Sequence, residues 1–481
     1  MRKAIENLER TARMLEPDDE QRARMRDKVV QHTESFLREI YDNRAYRTEM
    51  DGLEAVRKDK LDDEPAGIDI LLDIISEGID RPGLNPASGG HLGYIPGGGL
   101  YTAALGDYIA DITNRYAGVY FAGPGAVALE NKLIRWMASL TGYPESASGN
   151  LTSGGSIANL IGVVTARDAF ELKARDFERC VVYTTEQVHH SADKALRIAG
   201  LGECIVKHIA VDERFRMKAD ELEKTIQVDQ ASHLLPWLII SSAGTTDTGS
   251  VDPLAQISDL AEKYGLWHHV DGAYGAFFML CDELKNKFTG IERSDSLVMD
   301  PHKGLFLPYG SGAVIVKDAA LLNRAHYYTA NYMQDAGTLG QDELSPAELS
   351  PELTKHFRGL RMWLPLRLHG LEAFRACLME KVALARYFYE EVAKIPGFET
   401  GPEPELSVCT YRYVPKNGDA NDFNQKLINA MHNDGRVFIS STLIDGKFTL
   451  RFAALAFRTH LNTVDTLLEM LEEHSKELQS G

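Results

Sequence analysis

Cysteine is scarce: five in 481 residues, at positions 180, 204, 281, 377 and 409. The number is odd, no Cys-x-x-Cys occurs and no two are adjacent. A disulfide framework is therefore not expected, and a reducing, cytoplasmic setting is. No apolar run reaches the roughly 18 residues that a membrane span needs. Met1 to Glu20 is too charged for a signal peptide. No basic block, internal repeat or low-complexity segment is found. Lys and Arg number 52 against 70 Asp and Glu, a formal net charge of −18. That balance disfavours nucleic acid and anionic membrane as partners. What is present is an ordinary globular composition, 44% hydrophobic and 25% charged, in a chain long enough for two or three domains.

Residues 1–88 read as a helical arm. Phe36, Leu37, Ile40 and Tyr41 share one helical face, and Ile68, Leu71, Leu72, Ile75 and Ile79 another. An arm this apolar, with little core of its own, is expected to pack on the main body or on a second subunit. Residues 89–370 form the next unit, a large α/β domain. Short apolar, often β-branched runs (Cys180 to Thr184, Cys204 to Ile209, Trp237 to Ser241, Leu266 to Val270, Leu297 to Met299) are separated by helical stretches. The clearest helix runs from Asp252-Pro253 to Tyr264, with an acid as N-cap, proline at the first position and Gly265 as stop. This alternation predicts a mainly parallel sheet covered by helices, with ligands bound beyond the carboxyl ends of its strands. Residues 371–481 read as a smaller α+β domain: a long helix from Leu371 to Val392, three strands and a final amphipathic helix.

Four stretches carry chemistry. Asp300-Pro301-His302-Lys303-Gly304 comes after the run ending at Met299 and precedes a second apolar run, Ala313 to Val316, so it reads as strand, loop, strand. A lysine at the mouth of a buried strand becomes a nucleophile when it loses its proton, although most lysines are solvated surface groups. Trp267-His268-His269-Val270-Asp271 places His269 and Asp271 on one side of an extended chain. This suits a metal pair, and Asp271 alone suits an ordinary helix cap. Glu186-Gln187-Val188-His189 comes after another strand, where an imidazole can lie flat on a planar ligand or be a satisfied core histidine. Ser153-Gly154-Gly155-Ser156 opens a helix, a setting that suits a phosphate and equally plain cap chemistry. Gly97 to Gly99 let the backbone pass close to another surface but lack the ending of a P-loop. Taken together, a lysine, a carboxylate, a histidine and a Ser/Gly helix start meet the needs of pyridoxal phosphate.

Five motifs recur in order: Ser153-Gly-Gly-Ser-x-Ala-Asn159, Glu186-Gln-x-His189, Ala243-Gly-Thr-Thr246, His269-Val-Asp271-x-Ala-Tyr274 and Asp300-Pro-His-Lys303. Arg358-Gly-Leu-Arg-Met-Trp363 and Leu450-Arg-Phe452 extend the pattern. Over residues 65–475 the chain resembles the group II pyridoxal-phosphate-dependent amino acid decarboxylases, in particular the bacterial aromatic-L-amino-acid type. The resemblance implies a fold type I transferase architecture and a homodimer with its sites at the interface. It implies that Lys303 carries the cofactor, with His302 beside it. Asp271 would keep the pyridine nitrogen protonated, His189 would stack on the ring, and Gly155, Ser156, Thr246 and Ala273 would complete the cofactor site. Tyr332 would lie on a mobile loop and protonate the substrate carbon. Tyr94, Pro96, Tyr101, Tyr120 and Phe121 are candidates to wall an aromatic side chain, ordinary core packing being the other reading. The chain departs from the family at Gly304, where tryptophan is usual, and at Gly272, where alanine is usual.

The activity implied is decarboxylation of an L-amino acid, aromatic by this resemblance, to its amine. On the same scaffold the alternatives are oxidative deamination to an aldehyde and decarboxylation of an acidic or aliphatic amino acid. Further off stand a non-catalytic regulator that binds pyridoxal phosphate, and a metal hydrolase on His268, His269 and Asp271; no resident metal is expected.

Overall fold

The architecture, known from a computed structural model, describes residues 1–327 and 343–480. Its centre is a seven-stranded sheet: β1 (Ser148–Thr152), β2 (Cys180–Thr184), β3 (Ile205–His208), β4 (Leu235–Ser242), β5 (Trp267–Asp271), β6 (Ser296–Met299) and β7 (Gly312–Val316). The spatial order is β1-β7-β6-β5-β4-β2-β3. Strands β2 to β6 pair in parallel, and only β7 is antiparallel to its neighbours β6 and β1. Every residue of β2, β5 and β7 is buried, as a sheet covered on both faces requires.

The pleat divides the core. Leu297, Met299 and Ile315 turn to one face, where Phe277, Phe278 and Phe288 fill the layer. Val298 and Val314 turn to the other, against Ile161 and Val182. Around the sheet and beside it run the helices α1 (Tyr101–Thr113), α2 (Gly155–Ala169), α3 (Leu254–Tyr264) and α4 (Gly359–Val392). Helix α2 lies across β6 and β7. Helix α3 ends as its sequence demands, with Gly265 in the left-handed conformation (φ 66°). Its start differs from expectation. Asp252 caps nothing on α3: its two carboxylate oxygens accept the backbone N–H groups of Met217 and Ser242, both at 2.7 Å. Helix α4 begins at Gly359, twelve residues before the position expected, and Gly370 interrupts it (φ 72°, ψ 166°).

The C-terminal part carries an antiparallel sheet of β8 (Phe398–Thr400), β9 (Val408–Tyr413), β10 (Phe438–Ile444) and β11 (Lys447–Ala453) in the order β8-β9-β11-β10. The two-residue strand His91–Leu92 adds to it in parallel beside β10. The arm's longest helix, Asp19–Arg38, starts at a capping box in which Asp18 and Gln21 each accept the other's backbone N–H. No helix among the described residues is long and apolar enough to cross a membrane.

Candidate active site

Four strand ends and one helix start meet at a cavity of about 580 Å³. Strand β2 leads to His189, β4 to Thr246, β5 ends at Asp271, and β6 leads to Lys303. Strand β1 runs through Ser153 and Gly154 into the N-terminus of α2. Tyr94, Gly155, Ser156, His189, Thr246, Asp271, Ala273, His302 and Lys303 all line this cavity. Pro96, Tyr120 and Phe121 are not among its lining residues. Pro96 is buried, the Tyr120 N–H donates to Ser345 Oγ at 3.1 Å, and Phe121 is exposed. Tyr332 lies outside the described residues.

Lys303 stands on one short helical turn, Pro301–Gly304. Its Nζ is 3.4 Å from Asp300 Oδ2, and His302 Nε2 is 3.7 Å from the same oxygen. Asp300 is almost fully buried, and its Oδ1 has no hydrogen-bond partner among the described residues. Room for this carboxylate comes from two glycines: a Cβ on Gly155 would lie 2.9 Å from Asp300 Oδ2, and one on Gly312 2.8 Å from Oδ1. His302 Nδ1 donates to the Ser311 carbonyl at 2.5 Å, which leaves Nε2 without a hydrogen. Burial holds its pKa below the usual imidazole value, with Asp300 opposing. The same cause, opposed by Asp271, lowers His189.

At the helix start, the backbone N–H groups of Gly155 and Ser156 have no acceptor among the described residues and border the cavity. With the hydroxyls of Ser153 and Ser156 they form a donor set suited to a phosphate at the positive end of a helix dipole. Opposite, Asp271 Oδ1 accepts the Ala273 N–H at 3.1 Å and Oδ2 accepts Asn159 Nδ2 at 3.0 Å. Buried Arg451 closes one wall. Its guanidinium donates to the carbonyls of Asp247 (2.9 Å) and Thr246 and to Ser440 Oγ (2.8 Å).

Sequence reasoning placed Asn159, Asp300 and Arg451 inside motifs without giving them work, and gave no role to His190 and Ser191. A signal for Asn159 existed: Gly155, Asn159 and Gly162 are spaced i, i+4, i+7, one helical face. The metal alternative has no geometry behind it. His268 turns to Ser241 Oγ (2.7 Å) and Ser258 Oγ (3.1 Å), whereas His269 turns to the opposite face of the sheet, toward Asn159 and Ser296. Gly304 also has a local reason. A Cβ there would meet Phe277 Cβ at 2.6 Å, and Phe277 is fully buried, so this chain fills with Phe277 the space that a larger residue 304 would need.

Comparison with known proteins shows the family. The pyridoxal-dependent decarboxylase conserved domain matches residues 87–414. The chain is 33% identical over 384 residues to the aromatic-L-amino-acid decarboxylase of Bacillus atrophaeus, covering 79% of each chain. It is 27% identical over 434 residues to a phenylacetaldehyde synthase of Arabidopsis thaliana, covering 87% of this chain and 88% of that one. Among solved structures, Oryza sativa TDC with PLP and tryptamine superposes with a TM-score of 0.89 at 22% identity, covering 96% of this chain and 99% of that one. The chain belongs to the pyridoxal-dependent decarboxylases. It is a carboxy-lyase that removes CO2 from an amino acid with pyridoxal phosphate as cofactor. The residues fit that group: an amine for the aldehyde, an acceptor-only carboxylate for the ring nitrogen, and, at the start of α2, N–H donors with no acceptor among the described residues.

Proposed function

We propose that the protein decarboxylates an aromatic L-amino acid to the corresponding amine, as a homodimer. The observation that carries this reading is the convergence of Lys303, Asp271, His189 and the N-terminus of α2 on one cavity. Bound pyridoxal phosphate supplies an electron sink conjugated to the substrate amine. Lys303 would hold the cofactor through its Nζ amine. Asp271 accepts the hydrogen of the ring nitrogen and so favours the cationic ring. His189 and Ala273, both lining the cavity, would hold the ring between an imidazole and a methyl group. The N–H groups of Gly155 and Ser156 and the hydroxyls of Ser156 and Thr246 hold the phosphate. His302, with Nε2 free of hydrogen, is placed to hold a proton near Lys303. Tyr332 is assigned the delivery of a proton to the substrate carbon.

An aromatic substrate is supported by the Bacillus relative and by Tyr94, which lines the cavity and tilts against Phe438 at 5.5 Å. The dimer is supported by an exposed apolar stripe on α1, namely Tyr101, Leu105, Tyr108, Ile109 and Ile112, and by exposed Ile5, Leu8, Met14 and Leu15 in the arm. The division into arm (1–88), cofactor domain (89–370) and small domain (371–481) is part of the proposal; the break at Gly370 supports its second boundary. Five free cysteines support a reducing, cytoplasmic location.

The test is a panel of amino acids with CO2, amine, ammonia and peroxide all measured. Stoichiometric amine and CO2 from an aromatic substrate is the expected result. Aldehyde with ammonia and peroxide would transfer the reading to the second reaction, which the phenylacetaldehyde synthase relative favours. Turnover confined to acidic or aliphatic substrates would remove the aromatic assignment. Tyr332→Phe should shift product from amine toward aldehyde, and unchanged amine formation would release Tyr332 from its role.

A further inference from the structure

Asp271 and His189 come from different strands, yet one buried amide holds both. Asn159 Nδ2 donates to Asp271 Oδ2 at 3.0 Å and to Ser191 Oγ at 2.9 Å. Ser191 Oγ lies 2.7 Å from His189 Nδ1, which also accepts the Ser191 N–H at 3.2 Å. That Nδ1 therefore carries no hydrogen, and the neutral ring keeps its hydrogen at Nε2. On the far side, Asn159 Oδ1 is 2.8 Å from His269 Nε2. His269 Nδ1 is 2.7 Å from Ser296 Oγ, and that hydroxyl accepts the Trp267 indole N–H at 2.8 Å.

The polarity of this chain is fixed from both ends. The Trp267 indole only donates, so the Ser296 hydroxyl is free to give its hydrogen to His269 Nδ1. His269 then donates from Nε2 to the amide oxygen. The Asp271 carboxylate only accepts, so the amide must turn its NH2 toward it. Flipping Asn159 would bring its oxygen to 3.0 Å from a carboxylate oxygen. Asn159, Ser191, His269, Ser296 and Trp267 are all buried, so water does not interrupt the sequence of bonds.

We propose that Asn159 is a positioning residue: its amide sets the carboxylate of Asp271 and the tautomer of His189 together, with His269 and Ser296 fixing the amide's orientation. The inference rests on the proposed assignment of Asp271 and His189 to the cofactor ring. It differs from that assignment in predicting that Asn159, and behind it His269 and Ser296, which do not line the cavity, tune the cofactor.

Two variants address it. Asn159→Asp keeps the shape but sets a second carboxylate against Asp271 and removes both amide hydrogens. Gly162→Ala leaves the cavity intact, but its Cβ would lie 2.6 Å from His269 Cε1 and 2.9 Å from Nδ1, so the imidazole must move. The readouts are the Kd of pyridoxal phosphate for the cofactor-stripped protein, the pH midpoint of visible absorbance in the loaded enzyme, and the thermal midpoint of the stripped protein. Asn159→Asp should raise Kd about tenfold or more, the worth of one charge-assisted hydrogen bond, and move the absorbance midpoint by about one pH unit. Gly162→Ala should move the same midpoint by a smaller amount. Wild-type Kd and midpoint in both variants, with only the thermal midpoint lowered, would reduce the chain to core packing and overturn the proposal. If Gly162→Ala does not fold, Ser296→Ala takes its place, since it removes the hydrogen that His269 Nδ1 accepts. Asp271→Asn, measured alongside, separates the two layers. If it raises Kd while Asn159→Asp does not, the coupling alone fails. If it leaves Kd unchanged, the ring assignment fails and the inference with it.

Discussion

Gly155→Ala should weaken cofactor binding by more than it weakens the fold. A Cβ at Gly155 would lie 2.9 Å from Asp300 Oδ2, 3.3 Å from Oδ1 and 3.4 Å from Ala273 Cβ. Ordinary van der Waals contact begins near 3.4 Å, so the Asp300 carboxylate must retreat by a few tenths of an ångström. It has little freedom to do so. The residue is buried, and its main chain is tied by N–H donation to Ala273 O at 3.2 Å and acceptance from Lys303 N–H at 2.9 Å. Overpacking of this kind costs about 1–3 kcal/mol, offset in part by up to about 1 kcal/mol from replacing glycine in a helix. Net destabilisation of about 1–2 kcal/mol is expected. Asp300 lines the same cavity, so its displacement disturbs the helix start proposed for the phosphate. Losing one charge-assisted hydrogen bond to the phosphate is worth about 1.5–3 kcal/mol, which raises Kd about 10- to 100-fold. The assay is titration of cofactor-stripped protein with pyridoxal phosphate, paired with denaturant unfolding of the same sample. Gly125→Ala is the control, because a Cβ there meets nothing within 4 Å. A Kd for Gly155→Ala within about twofold of the control, less than 0.5 kcal/mol, would refute the placement of the phosphate at this helix start.

Other expectations come from buried groups. Lys355 and Glu130 form a pair at 2.8 Å with side chains 0% and 2% exposed, and Glu130 Oε1 also accepts the N–H groups of Arg358 (2.9 Å) and Gly359 (3.1 Å). Lys355→Met should cost about 3–5 kcal/mol in denaturant unfolding by leaving the carboxylate uncompensated; a change under 1 kcal/mol would mean that water reaches Glu130. His91 is fully buried with neither ring nitrogen hydrogen-bonded among the described residues, and burial lowers its pKa to about 4. Because the folded value lies below the unfolded one, stability is present above about pH 6.5 and is lost as pH falls toward 4, by on the order of 3 kcal/mol for this residue. His268, lowered to about 3 by burial, acts in the same sense, whereas Asp252, raised to about 6 by burial, costs stability as pH rises from about 4 to 6. His91→Leu should therefore reduce the protons taken up on unfolding at pH 5, measurable by calorimetry in buffers of different ionisation enthalpy; unchanged uptake would show that His91 is not held neutral. Lys303→Ala should abolish turnover and the visible absorbance of the loaded enzyme, while the stripped protein keeps its wild-type fold by circular dichroism; retained turnover would remove Lys303 from the chemistry.

The chemistry of the cavity is more legible in the sequence than the sheet that builds it. Lys303, Asp271 and His189 stand in short motifs whose residue types match the roles proposed for them toward an aldehyde, a ring nitrogen and a ring face. Strand β1 has no local signal, because Gly149 and Asn150 argue against a strand there. It exists through pairing with β7, some 160 residues later, and a Cβ on Gly149 would lie 2.0 Å from Val314 O. The antiparallel sense of β7 is likewise a property of the assembled sheet. Asp252 reads as a cap from its neighbours, yet its partners Met217 and Ser242 are remote in sequence. Helix α4 reads as starting after Gly370 because Pro365 and Gly370 signal a break; the chain turns helical already at Gly359, eleven residues before Gly370, where the break falls. Asn159 shows the same limit from the other side. Its type and spacing are visible, but its work is defined by His269, Asp271 and Ser191, which only the fold brings together.

The most direct test of the whole account is borohydride reduction of the cofactor-loaded protein, then proteolysis and mass spectrometry. The account predicts one phosphopyridoxyl group per chain, on Lys303, within the peptide spanning residues 300–310. A protein that carries no such label, or carries it on another lysine, would contradict it.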